Sequence, residues 1–131
     1  MLYYILLLMI FLHIVDDYYL QGILAKMKQK SWWELRVPGI VYFNNPEYKY
    51  RHDYIVALVM HGFSWAFLIM LPFYKIGISG DWRFFVIFIW NALLHAFTDD
   101  AKANHGAINL IQDQSIHILQ IIATFITLSI I

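Results

Sequence analysis

The sequence predicts an all-α fold: an integral membrane four-helix bundle of up-down topology, with both chain ends outside. Three observations carry this expectation. Of 131 residues, 61% are hydrophobic and only 14% charged, whereas soluble domains have roughly 45–50% apolar and about 25% charged residues. Four stretches reach the roughly 20 mostly apolar residues needed to cross a ~30 Å hydrocarbon layer. None of them alternates with period two, and lipid leaves the backbone only helices or closed barrels.

The first stretch covers about residues 2–24. It lacks a basic leader and a small-residue cleavage site, so it reads as a retained helix rather than a signal peptide. The second runs over about 53–74, the third over 82–102 and the fourth over 110–131. Residues 1–131 thus read as a single transmembrane domain. Between the first two helices, residues 26–52 form a polar, aromatic and basic loop with turn signals at Pro38-Gly39 and Asn44-Asn45-Pro46. Gly77, Gly80 and Asp81 part the second helix from the third, and residues 104–109, with Gly106, part the third from the fourth.

Basic residues set the orientation. The first loop holds Lys26, Lys28, Lys30, Arg36, Lys49 and Arg51, the third adds Lys102, and the second has only Lys75 and Arg83. The positive-inside rule puts loops one and three in the cytoplasm. Trp32, Trp33, Tyr42, Phe43, Tyr48 and Tyr50 share the first loop, a mixture suited to an anchor or lipid contact at headgroup level. The net charge is zero, so no basic surplus points to nucleic acid. With no cysteine, disulfides, thiolate metal sites and cysteine nucleophiles are excluded.

A central Asp in a membrane helix costs about 2.5–3.5 kcal/mol on insertion scales, so each ionisable side chain calls for a partner. His13 and Asp17, His95 and Asp99, and Asp113 and His117 are each four residues apart, which brings both members to one helix face. His61 lies inside the second helix. In an up-down bundle the last halves of helices one and three meet the first halves of two and four. All seven residues then converge in the cytoplasmic half, His13 deepest, with Asp53, Lys102 and Asp113 at the mouth. A lone His or Asn in such a helix would be an interhelical hydrogen-bonding group. Asp53, Asp100 and Lys102 are also open to reading as solvated ends, which is the preferred reading for His52 and His105, and Trp65 and Trp90 read as lipid contacts or packing.

Histidines with aspartates and no cysteine suit a divalent cation, zinc first, with manganese or iron as the others. The ligand candidates are His13, Asp17, His61, His95, Asp99 and His117. Asp113 is a ligand or general base. Lys102 and a spare carboxylate, Asp53, are placed to stabilise developing charge or move protons. These are too many for one tetrahedral ion, so either two metals bind or some residues orient the others. No H-E-x-x-H, G-x-S-x-G or G-x-x-x-x-G-K-[ST] motif is present, which removes zincin, serine hydrolase and P-loop chemistry.

Taken together, His13-x3-Asp17 with Leu20-Gln21, Lys26, His61, His95-x3-Asp99 with Lys102, and Asp113-Gln114-x2-His117 resemble a family of small bacterial and phage membrane proteins catalogued as a domain of unknown function. The match covers nearly the whole chain and departs in the long aromatic loop, residues 31–50. It implies a four-helix membrane fold, these residues as the site, and a bacterial membrane. A looser similarity to bacterial membrane-bound metal-dependent hydrolases implies an activity.

The expected function is therefore a metal-dependent hydrolase of the inner membrane, with membrane lipid around it and its site facing the cytoplasm. Its substrate would be lipid-linked or a small phosphate or ester compound. One alternative is a divalent cation or proton transporter or channel using the same residues. The outer halves are almost wholly apolar apart from Gln120 and scattered hydroxyls, which disfavours a pore unless a homo-oligomer builds the path. Another is a phage or host membrane interaction protein whose polar core only fixes packing.

Overall fold

The computed structural model of the protein describes residues 2–36, 50–74 and 80–130, and these are helical with no strand among them. The helices are α1 (Leu2–Val15), prolonged by a π-helical turn (Asp16–Leu20), α2 (Leu24–Met27), α3 (Lys30–Arg36), α4 (Asp53–Tyr74), α5 (Trp82–Ala103) and α6 (Leu110–Ser129). Part of the expected loop 26–52 is therefore helical. Its turn signals at 38–39 and 44–46, with Tyr42, Phe43, Tyr48 and Lys49, lie outside the described residues, as do Lys75 and Gly77.

Three stretches among the described residues are long and apolar enough to cross a membrane: Tyr3–Leu20, Asp53–Tyr74 and Trp82–Ala103. The expected fourth is not among them. Leu110–Ser129 does form a long helix, α6, but Gln112, Asp113, Gln114, Ser115 and His117 crowd its first half. Of these, Asp113 and His117 turn inward and are fully buried. An average over the helix thus counts polar groups that face the other helices rather than the surroundings.

Local chemistry starts the last two long helices. Asp81 caps α5, its Oδ1 accepting from the Arg83 backbone N–H at 2.8 Å. Asn109 caps α6 in a reciprocal box: it accepts from the Gln112 N–H, and the Gln112 side chain accepts from the Asn109 N–H. Each arrangement satisfies backbone donors that a helix start leaves without partners.

In the packing, α1 touches α4 and α6, α4 touches α5, and α5 touches α6, so the four long helices close a ring. Contacts between neighbours run in opposite chain directions. Between α4 and α5 they pass from Met70–Asn91 to His61–His95, and between α5 and α6 from Asn91–Thr124 to Lys102–Asp113. The tightest approach is between α4 and α5, where a Cβ on Gly62 would collide with the Ala92 carbonyl oxygen.

Burial is inverted relative to a water-soluble protein. Trp90 is 66% and Phe97 70% exposed, whereas His95, Asp113 and His117 are 0% exposed. Large exposed apolar surface of this kind marks contact with a partner or a membrane. One half of the ring is filled by Met9, Ile69, Met70, Phe73, Phe88, Ile121 and Leu128. The other half holds the polar residues.

Candidate metal centre

The π-helical turn decides which carboxylates reach the interior. Successive residues of an α-helix point about 100° apart, so Asp16 and Asp17 could not both face one centre in regular geometry. Here the Gln21 N–H bonds the Asp16 carbonyl at 2.9 Å, five residues back, and the widened turn brings both side chains inward. Single π turns within α-helices are frequent at functional sites. Gly22, at φ +52°, then bends the chain out of the helix, a conformation that costs glycine little.

Three imidazole Nε2 atoms and three carboxylates face one another at the centre. His61 and His95 bring their Nε2 atoms to 3.0 Å. Asp17 Oδ1 lies 3.4 Å from His61 Nε2 and 3.8 Å from His95 Nε2. Asp99 spans the centre, with Oδ2 at 3.5 Å from His61 and 3.8 Å from His95, and Oδ1 at 3.4 Å from His117. Asp113 Oδ1 is also 3.4 Å from His117 Nε2. Among the described residues, two groups have donor atoms within 4.8 Å of one another: Asp17, His61 and His95; and His95, Asp99 and His117.

These buried groups could hold a metal ion. Asp17 Oδ1, Asp113 Oδ1 and His117 Nε2 are buried without hydrogen-bond partners, yet all aim inward. Such atoms are costly unless a cation or proton joins them. Charge points the same way: among the described residues, the four inward carboxylates of Asp16, Asp17, Asp99 and Asp113 are matched by only two ammonium groups, those of Lys28 and Lys102. The ion pairs argue in the opposite direction. Lys28 Nζ holds Asp99 Oδ2 and Lys102 Nζ holds Asp113 Oδ2, both at 2.5 Å, and they compete for those oxygens. Zinc, manganese and iron all accept such nitrogen and oxygen donors.

Surrounding groups orient the centre. Ser64 Oγ donates to Asp16 Oδ1 at 2.7 Å, and Asp16 Oδ2 lies 3.4 Å from His61 Nδ1. That order, hydroxyl to carboxylate to imidazole, orients the His61 ring, as carboxylates behind metal-bound histidines do, while the Gln21 side-chain amide donates to His61 Nε2 at 2.7 Å and competes with an ion for that lone pair. Asp16→Asn is therefore expected to weaken metal binding about 10–100-fold without unfolding the protein, as other losses behind a ligand do. Titration with a competing chelator reads this directly; unchanged affinity would separate Asp16 from the centre. Gln114 bridges the other side, within reach of His13 Nε2 at 3.1 Å, Asp113 Oδ2 at 3.1 Å and Asp17 Oδ2 at 3.4 Å.

The expected site residues fare differently. Asp17, His61, His95, Asp99 and His117 fall in the two donor groups, and Asp113 and Lys102 stand beside them. His13 is buried next to the centre, but both of its ring nitrogens are engaged. An indole N–H only donates, so His13 Nδ1 accepts from Trp65 at 2.8 Å and its proton sits on Nε2, toward Gln114 Oε1. His13 therefore orients its neighbours rather than presenting a lone pair. Asp53 is not brought in: it is half-buried in the first turn of α4, about 12 Å along the axis from His61.

Lys28, read from the sequence only as one of the basic residues of loop 26–52, reaches Asp99 in the centre. Trp65, expected at lipid or in packing, is fully buried, stacks on His95 with ring centroids 4.3 Å apart and sets the His13 tautomer. Its position four residues after His61 was the available signal. No family model, curated protein or solved structure matches the chain.

Proposed function

We propose that this chain is an integral membrane protein that spans the bilayer as an up-down four-helix bundle and carries a divalent metal centre, zinc first, in its cytoplasmic half. It acts there as a metal-dependent hydrolase on a lipid-linked or small phosphate or ester substrate. One observation carries the metal reading: inward-facing, buried Asp17 Oδ1 and His117 Nε2 that lack any hydrogen-bond partner. Asp17, His61, His95, Asp99 and His117 would hold the ion. It would supply Lewis acidity and a nucleophile at neutral pH.

The chain's own groups supply the rest. Asp113 stands outside both donor groups, and Lys102 and Gln114 fix its Oδ2, which leaves Oδ1 to take a proton from water. Lys102, the more exposed member of that pair, faces charge developing on a leaving oxygen. Overall, water adds across the ester bond and an alcohol or acid leaves. Asp113→Asn is expected to keep its metal and lose about 10²–10⁴-fold in kcat. The assay is release of phosphate or fatty acid from phosphatidic acid by metal-loaded protein in nanodiscs, with a chelator control. Equal turnover in Asp113→Asn would remove that role, and no turnover on phosphate or carboxylic esters would remove the hydrolase.

Cation or proton transport is the second reading, and one feature favours it. Deeper in the ring, Asn91, Gln120 and Thr124 form a buried polar layer, with Gln120 Nε2 donating to Asn91 Oδ1 at 2.8 Å and Asn91 Nδ2 donating to Thr124 Oγ1 at 2.9 Å. Beyond that layer, Phe73 and Leu128 are buried in an apolar core, which a permeating ion would have to cross. A site closed at one end fits an enzyme better.

A further inference from the structure

We infer that the substrate is a membrane amphiphile that reaches the centre sideways, between α1 and α6, with its chain in an apolar groove and its phosphate or ester head passing Gln114. This rests on the metal-hydrolase reading above and adds the substrate class and the route.

The argument starts from how the walls of the centre are closed. Between α4 and α5, Gly62 lies against Ala92 and Ala96 with no room for another side chain. Between α1 with its π turn and α4, Ser64 holds Asp16, Trp65 holds His13, and Gln21 meets His61. Between α5 and α6, Lys102 holds Asp113 and Asn91 holds Thr124. The end of the ring is covered too. Lys30 N–H donates to Asn104 Oδ1, Asn104 Nδ2 donates to the Lys28 carbonyl, and Lys28 reaches in to Asp99.

The seam between α1 and α6 is different. Among the described residues Gln114 alone bonds across it, and its link to Asp17 is long at 3.4 Å. Asp17 is also the least buried of the inward carboxylates, at 9% of its side chain. Outside this seam lies a groove lined by Tyr18, Leu110, Ile111, Ile118 and Leu119, with Gln114 in its wall and Ser115 beside it, its hydroxyl tied to the Ile111 carbonyl. It follows α6 for about 13 Å. A second groove, against Leu58, Leu93 and Ala96 on α4 and α5, ends at Asp100, whose carboxylate is held by Asn104 and His105 rather than by any group of the centre, and its α4–α5 wall is the closed Gly62 contact. The groove that meets the centre is thus apolar along its length and polar at its inner wall, which matches a molecule with a chain and an ester head. A soluble phosphate would have no use for the chain-length groove.

The test uses Mn²⁺ as the ion and phosphorus ENDOR as the readout, on the protein in phosphorus-free dodecyl maltoside micelles doped with phosphatidic acid. The expected result is a phosphorus coupling to bound Mn²⁺ in wild type. It should be lost in Ile118→Trp, which fills the groove, and kept in Leu93→Trp, which fills the other one. Leu119→Trp serves if Ile118→Trp does not fold. Glycerol phosphate, the same head without a chain, should give no coupling in undoped micelles. Coupling from glycerol phosphate that survives Ile118→Trp would overturn the sideways route and leave the metal centre standing. Bound Mn²⁺ with no phosphorus coupling from either probe would do the same. Failure to retain Mn²⁺ at all would overturn the metal reading and this inference with it.

Discussion

Gly62→Ala is expected to destabilise the protein by roughly 1–3 kcal/mol, and Gly62→Leu to prevent folding, because overpacked cores must shift side chains and backbone. The obstacle at Gly62 is backbone: its added Cβ meets the Ala92 carbonyl, with the Ala96 Cβ at 3.3 Å behind it. Backbone yields less readily than the end of a flexible side chain. This contact also sets the depth at which His61, one residue earlier on α4, meets His95 on α5. Thermal unfolding in detergent, followed by circular dichroism, measures the loss. Gly62→Leu with wild-type stability would mean that α4 and α5 lie further apart, and the short His61–His95 spacing would go with it.

The second large effect belongs to His95, the member common to both donor groups. His95→Ala is expected to weaken metal binding at least roughly 100-fold, beyond the 10–100-fold typical of residues that merely support a ligand. Leu93→Ala, on the exposed face of the same helix, should bind as wild type does. Helical circular dichroism on each variant separates lost metal from a lost fold. If His95→Ala keeps its metal, the ion lies elsewhere or the imidazole serves only to stack between Trp65 and His117.

Much of this arrangement was legible in the sequence because four-residue spacing is a rigid property of helices. His95 with Asp99 and Asp113 with His117 had to share a face, and both pairs meet in the centre. The long helices could be read from hydropathy alone, except that inward polar groups lower the average of α6. Irregular features were not legible. Nothing in Asp16-Asp17 announces a π turn, so regular geometry predicts one inward carboxylate where the structure has two. Lys28 enters from a short helical segment that hydropathy sees only as a loop. His13 has the spacing of a ligand, but Trp65, apolar by composition, takes its Nδ1. Asp53 shares a helix with His61 yet sits more than two turns away, a separation that position at the mouth of a bundle does not reveal.

The resulting picture is a ring of helices whose outer surface is apolar and whose interior concentrates carboxylates, imidazoles and two lysines in one half. The opposing influences at the centre are clear. Lys28 and Lys102 neutralise part of the negative charge, and the remaining inward oxygens and Nε2 atoms call for a dication or for protons. Metal content decides between them. Protein purified in detergent and resupplied with zinc, manganese and iron in turn, then measured by inductively coupled plasma mass spectrometry, is predicted to retain about one equivalent or more of divalent metal per chain. No stoichiometric metal with any of the three would contradict the metal centre and leave the cluster as a proton-holding or packing network.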